Sequence, residues 1–159
     1  MTDPADVHAA LGRRGETVAV AESLTGGLLA ARLTETAGAS ATFRGGLVVY
    51  ATDLKASLAG VPDALLAERG PVHEEVAVAL ARGASRVCGA DWGVGLTGVA
   101  GPDGQGGRPV GTVCIAVVRG DATAFADCRH LPGERGQVRA AAVLAALDSL
   151  AEQLARAEG

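Results

Sequence analysis

The 159-residue chain has few aromatic side chains, only two Phe, one Trp and one Tyr. That scarcity excludes aromatic stacking platforms as a main means of holding nucleic acid. Lysine is scarcer still: of fourteen basic residues thirteen are arginine, and Lys55 stands alone. A formal net charge of −4 gives no general pull toward a polyanion or an anionic bilayer. Neither nucleic acid nor membrane is therefore expected as a partner; a local basic pocket could still hold one small anion, so any nucleotide partner is expected as a single molecule rather than a polymer. No run reaches the roughly 18 apolar residues that span a bilayer. The opening MTDPADVHAALGRR also lacks the basic-then-apolar order of a secretory signal, so a cytoplasmic location is the expectation. Cys88, Cys114 and Cys128 have no CxxC or zinc-knuckle spacing and are expected as buried, reduced thiols. His8, His73 and His130 are scattered without ligand spacing, which speaks against a metal site; no cofactor is expected.

What is present is an aliphatic chain, 48% hydrophobic, whose apolar residues alternate between helical and strand periods. Asp3-Pro4 before Val7, Ala10 and Leu11 predicts a capped helix ending near Gly15. Thr17 to Ala21 predicts a strand, Glu22 to Gly27 a turn, and Leu28, Leu29 and Leu33 a helix. Gly46 to Ala51 predicts a second strand, and Thr52-Asp53 the start of a helix with Lys55 in its first turn. A short helix to Arg69 and a longer one over Glu74 to Val87 follow. Strands are predicted at Trp92 to Leu96, Gly111 to Val118 and Ala122 to His130, and an amphipathic helix over Glu134 to Ala157. Helices interleaved with short strands indicate a three-layer α/β/α sandwich. The tight Arg119-Gly120-Asp121 turn makes the sheet mixed, though mostly parallel. No repeat, linker or low-complexity tract divides the chain, so residues 1–159 are read as one α/β domain.

Ser23 falls where a strand gives way to a helix, a place suited to a nucleophile or to an anion. A helix cap by Ser23 or Thr25 is the competing reading. Gly26 and Gly27 weigh against it, because two glycines opening a helix are costly unless a ligand needs close backbone approach. Lys55 is the candidate base, since an arginine-rich chain retains a lysine where a deprotonatable amine is needed; chance survival of one lysine on a solvated helix face is the competing reading. A desolvated lysine can take the proton of a serine hydroxyl. The lone Tyr50, just before that helix, is expected close to Lys55, with a core-edge aromatic as its other reading. The loop Thr97 to Gly104 follows the carboxyl end of a strand and is expected to offer backbone N–H groups to a substrate or an oxyanion, with a plain connector as its other reading. It matches neither the phosphate-loop nor the dinucleotide signature. Arg135 and Arg139, four apart at the start of the last helix, are placed to hold a phosphate, or else form an exposed structural pair.

Taken in order, AESLTGGLLAARLT, FRGGLVVYATDLKASLAGV, GLTGVAGPDG and RPVGTV closely resemble the nicotinamide-nucleotide amidohydrolase family, which also forms the C-terminal domain of competence-damage-inducible protein A. The resemblance runs from about Thr17 to Arg139, and the lack of a preceding domain makes the chain look like the stand-alone form. It implies hydrolysis of the carboxamide of nicotinamide mononucleotide to nicotinate mononucleotide and ammonia without a metal, and also homo-oligomers. By position it implies Ser23 as nucleophile with Tyr50 and Lys55 as its partners. Thr25, Gly26, Gly27, Gly45, Thr97, Gly98, Gly101, Pro102, Arg135 and Arg139 are the implied substrate-binding set. One departure is Gly70-Pro71-Val72-His73-Glu74, where the family usually has GAVS before an acidic residue, which puts the helix cap at His73 in doubt. The alternative functions are a pyridine-nucleotide-binding or regulatory domain without catalysis and a phosphohydrolase. The latter lacks a carboxylate cluster for magnesium.

Overall fold

The computed structural model describes residues 1–159. The elements run α1 (Pro4–Arg14), β1 (Val18–Glu22), α2 (Leu28–Thr34), a 3-10 turn (Ala39–Ala41), β2 (Phe43–Val48), α3 (Thr52–Ser57) and α4 (Asp63–Arg69). They continue with α5 (Glu74–Cys88), β3 (Trp92–Gly98), β4 (Thr112–Arg119), β5 (Ala122–His130) and α6 (Arg135–Glu158). Local chemistry explains most of the boundaries. The Asp3 carboxylate accepts from Ala5 N–H to start α1, and Gly15 ends it in a left-handed conformation. Glu134 and Gln137 form a reciprocal capping box at the start of α6. His73 resolves the doubt about α5: its ring nitrogen accepts from Glu75 N–H and replaces the usual serine cap.

The five strands lie in the order β2-β1-β3-β4-β5. β1 pairs in parallel with both β2 and β3, whereas β3–β4 and β4–β5 are antiparallel. Four strands thus point one way and only β4 is reversed, which is the mixed, mostly parallel sheet expected. The period-two alternation sorts side chains onto two unlike faces. Val18, Val20, Trp92, Val94, Leu96, Val113, Ile115 and Val117 meet α1, α2 and α6 in the larger core. The opposite face carries Ala19, Ala21, Cys114, Ala116 and Val118 against α5. There Gly93 and Gly95 let the helix in: a β-carbon at either would lie 2.0 Å from a carbonyl oxygen of α5.

Two expectations are corrected. The second strand begins at Phe43 and ends at Val48; Val49 N–H still donates to Glu22 O of β1, but the carbonyls of Val49 and Tyr50 accept from Lys55 and not from a neighbouring strand. Nor are all three cysteines free thiols. Cys114 and Cys128 form a disulfide with a Cα separation of 4.0 Å, because the β4–β5 register sets them directly opposite each other. Only Cys88 remains free; burial pushes its thiol pKa up, partly offset by Arg44. No helix is long and apolar enough to cross a membrane.

Candidate active site

Strands β1, β2 and β3 are parallel, so their carboxyl ends share one edge of the sheet. The chain leaves β1 toward β2 on one side and returns to β3 on the other, which opens a crevice at the strand-order switch. Ser23 follows β1 directly, Tyr50 lies two residues beyond β2, and Thr97-Gly98 ends β3. The amino end of α6 brings Arg135 to the same edge. A cavity there is lined by Ser23, Leu24, Tyr50, Lys55, Thr97 and Arg135, together with residues of the Gly98–Gln105 loop and of the Pro71-Val72 segment.

At its floor, Lys55 is 1% exposed and Ser23 6% exposed. The Lys55 amine lies 2.9 Å from Ser23 Oγ, 2.9 Å from the carbonyl oxygen of Val49 and 3.2 Å from that of Tyr50. In a neutral amine the two carbonyls can accept both hydrogens, leaving the lone pair directed at the serine hydroxyl. No carboxylate pairs with Lys55, and burial lowers its pKa from 10.5 to about 8. A serine hydroxyl beside a lysine of that pKa can be activated as a nucleophile near neutral pH. No group of three or more His, Cys, Asp or Glu side chains converges to hold a metal ion.

The other expected residues divide. Thr97, Gly98, Gly101 and Arg135 line the cavity, and Arg135 donates to Gly101 O at 2.6 Å and to the Tyr50 hydroxyl at 3.2 Å. Tyr50 is hydrogen-bonded to Lys55 only through its backbone carbonyl; the residue is 60% exposed and its hydroxyl meets Arg135, so the phenol belongs to the rim. Thr25 is buried and donates to Glu22, while Gly26 and Gly27 shape the turn with positive φ values of 60° and 106°. Neither glycine lines the cavity, nor do Gly45 and Pro102. Gly45 pairs with Ala19 inside the sheet, away from the crevice. Arg139 also lies outside the lining; its guanidinium donates to the carbonyls of Leu24 at 2.9 Å and Thr25 at 3.3 Å. The four-residue spacing put both arginines on one side of α6, but Arg139 faces the turn rather than the opening.

Sequence reasoning missed Glu22. Its carboxylate is fully buried and accepts from Thr25 Oγ1 at 2.6 Å, Leu29 N at 2.8 Å and Ala30 N at 3.0 Å. It therefore supplies the cap of α2 that had been sought at Ser23 or Thr25. The available signal was an acidic residue ending an apolar strand just before a helix whose first residues bring no side-chain acceptor. Of the apolar lining residues, Val99 and Ala100 fall in the loop expected from sequence, whereas Leu24 and Val72 carried no local mark of their own.

Comparison with known proteins places the chain in a family and matches its overall fold. Residues 3–154 match the CinA C-terminal domain. The chain is 50% identical to a CinA-like protein of Frankia casuarinae over 90% of this chain and 33% of that protein. It is 51% identical to one of Anaeromyxobacter dehalogenans over 91% of this chain and 35% of that protein. It thus spans about a third of the length of the curated relatives it matches. Among solved structures, a competence damage-inducible protein A from Klebsiella pneumoniae superposes with a TM-score of 0.92 at 35% identity, covering 96% of this chain and 94% of that one. A competence/damage-inducible protein from Agrobacterium tumefaciens gives 0.83 at 34% identity, covering 96% and 98%. The chain belongs to the CinA C-terminal domain family.

Proposed function

We propose that the domain is a serine amidohydrolase acting on the carboxamide of nicotinamide mononucleotide, with Ser23 as nucleophile and Lys55 as base. The observation that carries this reading is the buried lysine amine held by two carbonyls with its remaining direction on Ser23 Oγ. Lys55 takes the hydroxyl proton as Oγ attacks the carboxamide carbon, giving a tetrahedral oxyanion. Gly26 N–H is engaged by Ser23 O, whereas Leu24 N–H, next to the nucleophile, has no partner within the protein. Leu24 N–H is the donor nearest to hand for the oxyanion. The C–N bond then breaks, the Lys55 ammonium returns the proton to the departing nitrogen, and ammonia leaves an ester on Ser23. Water, deprotonated by Lys55, cleaves the ester to the carboxylate, and the proton passes back to Oγ.

Arg135 at the rim is the residue proposed to hold the 5′-phosphate. The test is ammonia release from nicotinamide mononucleotide by the purified protein, with nicotinamide riboside alongside. Turnover of the mononucleotide that disappears in Ser23→Ala is the expected result. Arg135→Ala should weaken the preference for the phosphorylated substrate by roughly ten- to a hundredfold. Binding of the mononucleotide without ammonia release would make the domain a nucleotide-binding module instead. The same purified protein also tests homo-oligomer formation, which the family resemblance implies, by its mass in solution.

A further inference from the structure

Resting on the serine-nucleophile reading, we infer that Arg139 is a positioning residue for the nucleophile turn and not a ligand of the substrate phosphate. The turn from Ser23 to Gly27 needs an external hold. Its sheet anchor ends at Ser23, whose N–H donates to Leu96 O. Beyond it come two consecutive left-handed glycines, the residue type that loses most backbone freedom on being fixed. Between anchor and glycines lie the carbonyls of Leu24 and Thr25. Both are gripped by Arg139, through Nε at 2.9 Å and Nη2 at 3.3 Å. A β-carbon at Gly26 would come 3.6 Å from the same Nη2, so the guanidinium packs directly on the turn.

The hold is built from a rigid base. Arg139 follows fully buried Val138 on α6 and stands one turn before Val143; Val138, Ala142 and Val143 all pack in the larger core. The buried Glu22 carboxylate in turn takes Thr25 Oγ1 and the N–H groups of Leu29 and Ala30 in the first turn of α2. The turn is thus held between an anion that binds its donors and a cation that binds its acceptors. With the Leu24 carbonyl fixed on Arg139, the plane of the Leu24–Thr25 peptide is fixed as well, and with it the chain immediately after Ser23. Arg139 acts on Ser23 through that chain; it does not line the cavity.

The test uses phenylmethanesulfonyl fluoride, a probe with neither ribose nor phosphate: Ser23 Oγ displaces fluoride and gives a sulfonate ester that mass spectrometry locates. Arg139→Ala should slow this labelling by roughly ten- to a hundredfold, as misplacement of a reacting group does. It should lower kcat more than it raises KM for the mononucleotide, and affect the riboside equally. Added methylguanidinium should restore part of the labelling rate in Arg139→Ala, which a general loss of stability would not permit. If Arg139→Ala does not fold, Arg139→Gln, which keeps one donor at similar length, should show the same loss in milder form. Labelling of either folded variant at the wild-type rate overturns the inference, all the more if KM for the mononucleotide alone rises. Absence of Ser23 labelling in the wild type overturns the nucleophile reading and this inference with it.

Discussion

Two buried ionisable groups stand on either side of Ser23, and they are not treated alike. Glu22 has three N–H or O–H donors directed at its two oxygens, so desolvation is offset by a full set of charge-assisted bonds. Lys55 has two backbone carbonyls and the serine hydroxyl, with no opposite charge, and burial lowers its pKa to about 8. The contrast separates a charge that is structurally satisfied from one left reactive. The carboxylate fixes the start of α2, and the amine is held short of the ionisation it would keep in water.

The comparison can be broken most severely at Lys55. Lys55→Arg should lower turnover as fully as Lys55→Ala, on the order of a thousandfold or more, because a guanidinium keeps the charge but cannot accept the serine proton. Retained activity in Lys55→Arg would mean that only charge is needed. The pH profile comes next. Well below the folded pKa of about 8 the base form falls about tenfold per pH unit, so kcat/KM should drop roughly fiftyfold from pH 8 to pH 6 and level off by about pH 9. The sign for stability follows from the same shift. The unfolded lysine titrates near 10.5 and the folded one near 8, so between these values the unfolded chain binds more protons, and this residue's contribution to stability improves as pH rises through that window.

On the carboxylate side the effects should be smaller and of another kind. Glu22→Gln turns one acceptor oxygen into a donor that faces an N–H group, and denaturant unfolding should report a loss of about 2 kcal/mol. Activity should fall by roughly tenfold through the displaced turn, while the limb of the pH profile near 8 stays where it was. Movement of that limb would couple Glu22 to the proton transfer and erase the distinction drawn here. Thr25→Val is the mildest change: it removes one of three donors, should lower stability by about 1 kcal/mol, and Thr25→Ser should recover most of it. No recovery with serine would show that the methyl packing, not the hydroxyl, is what matters at Thr25.

How far the sequence led can be judged from particular residues. Ser23 and Lys55 were legible because each had a local signal, a strand-to-helix turn in one case and a lone lysine among arginines in the other. Arg135 and Arg139 looked equivalent at four-residue spacing, and only packing showed that one reaches the rim while the other grips the turn. Tyr50 was expected beside Lys55 and is, but by its carbonyl rather than its phenol. The end of the second strand was misplaced because GLVVYA reads as one apolar run, and that pattern gives no sign that the Val49 and Tyr50 carbonyls accept from Lys55, six and five residues further on.

By itself the sequence determined the kinds and order of the elements, the mixed sheet and the edge at which the candidate site lies. All of these follow from short-range periods, caps and turn residues that act within a few positions. Tertiary structure alone decided the Cys114–Cys128 bond, the Glu22 cap and the different roles of two similar arginines. The arginine roles depend on approaches between segments 34 to 115 residues apart, the disulfide on the β4–β5 register, and the Glu22 cap on how the turn folds the start of α2 back onto the end of β1; in each a shift of one residue or a fraction of an ångström changes the partner.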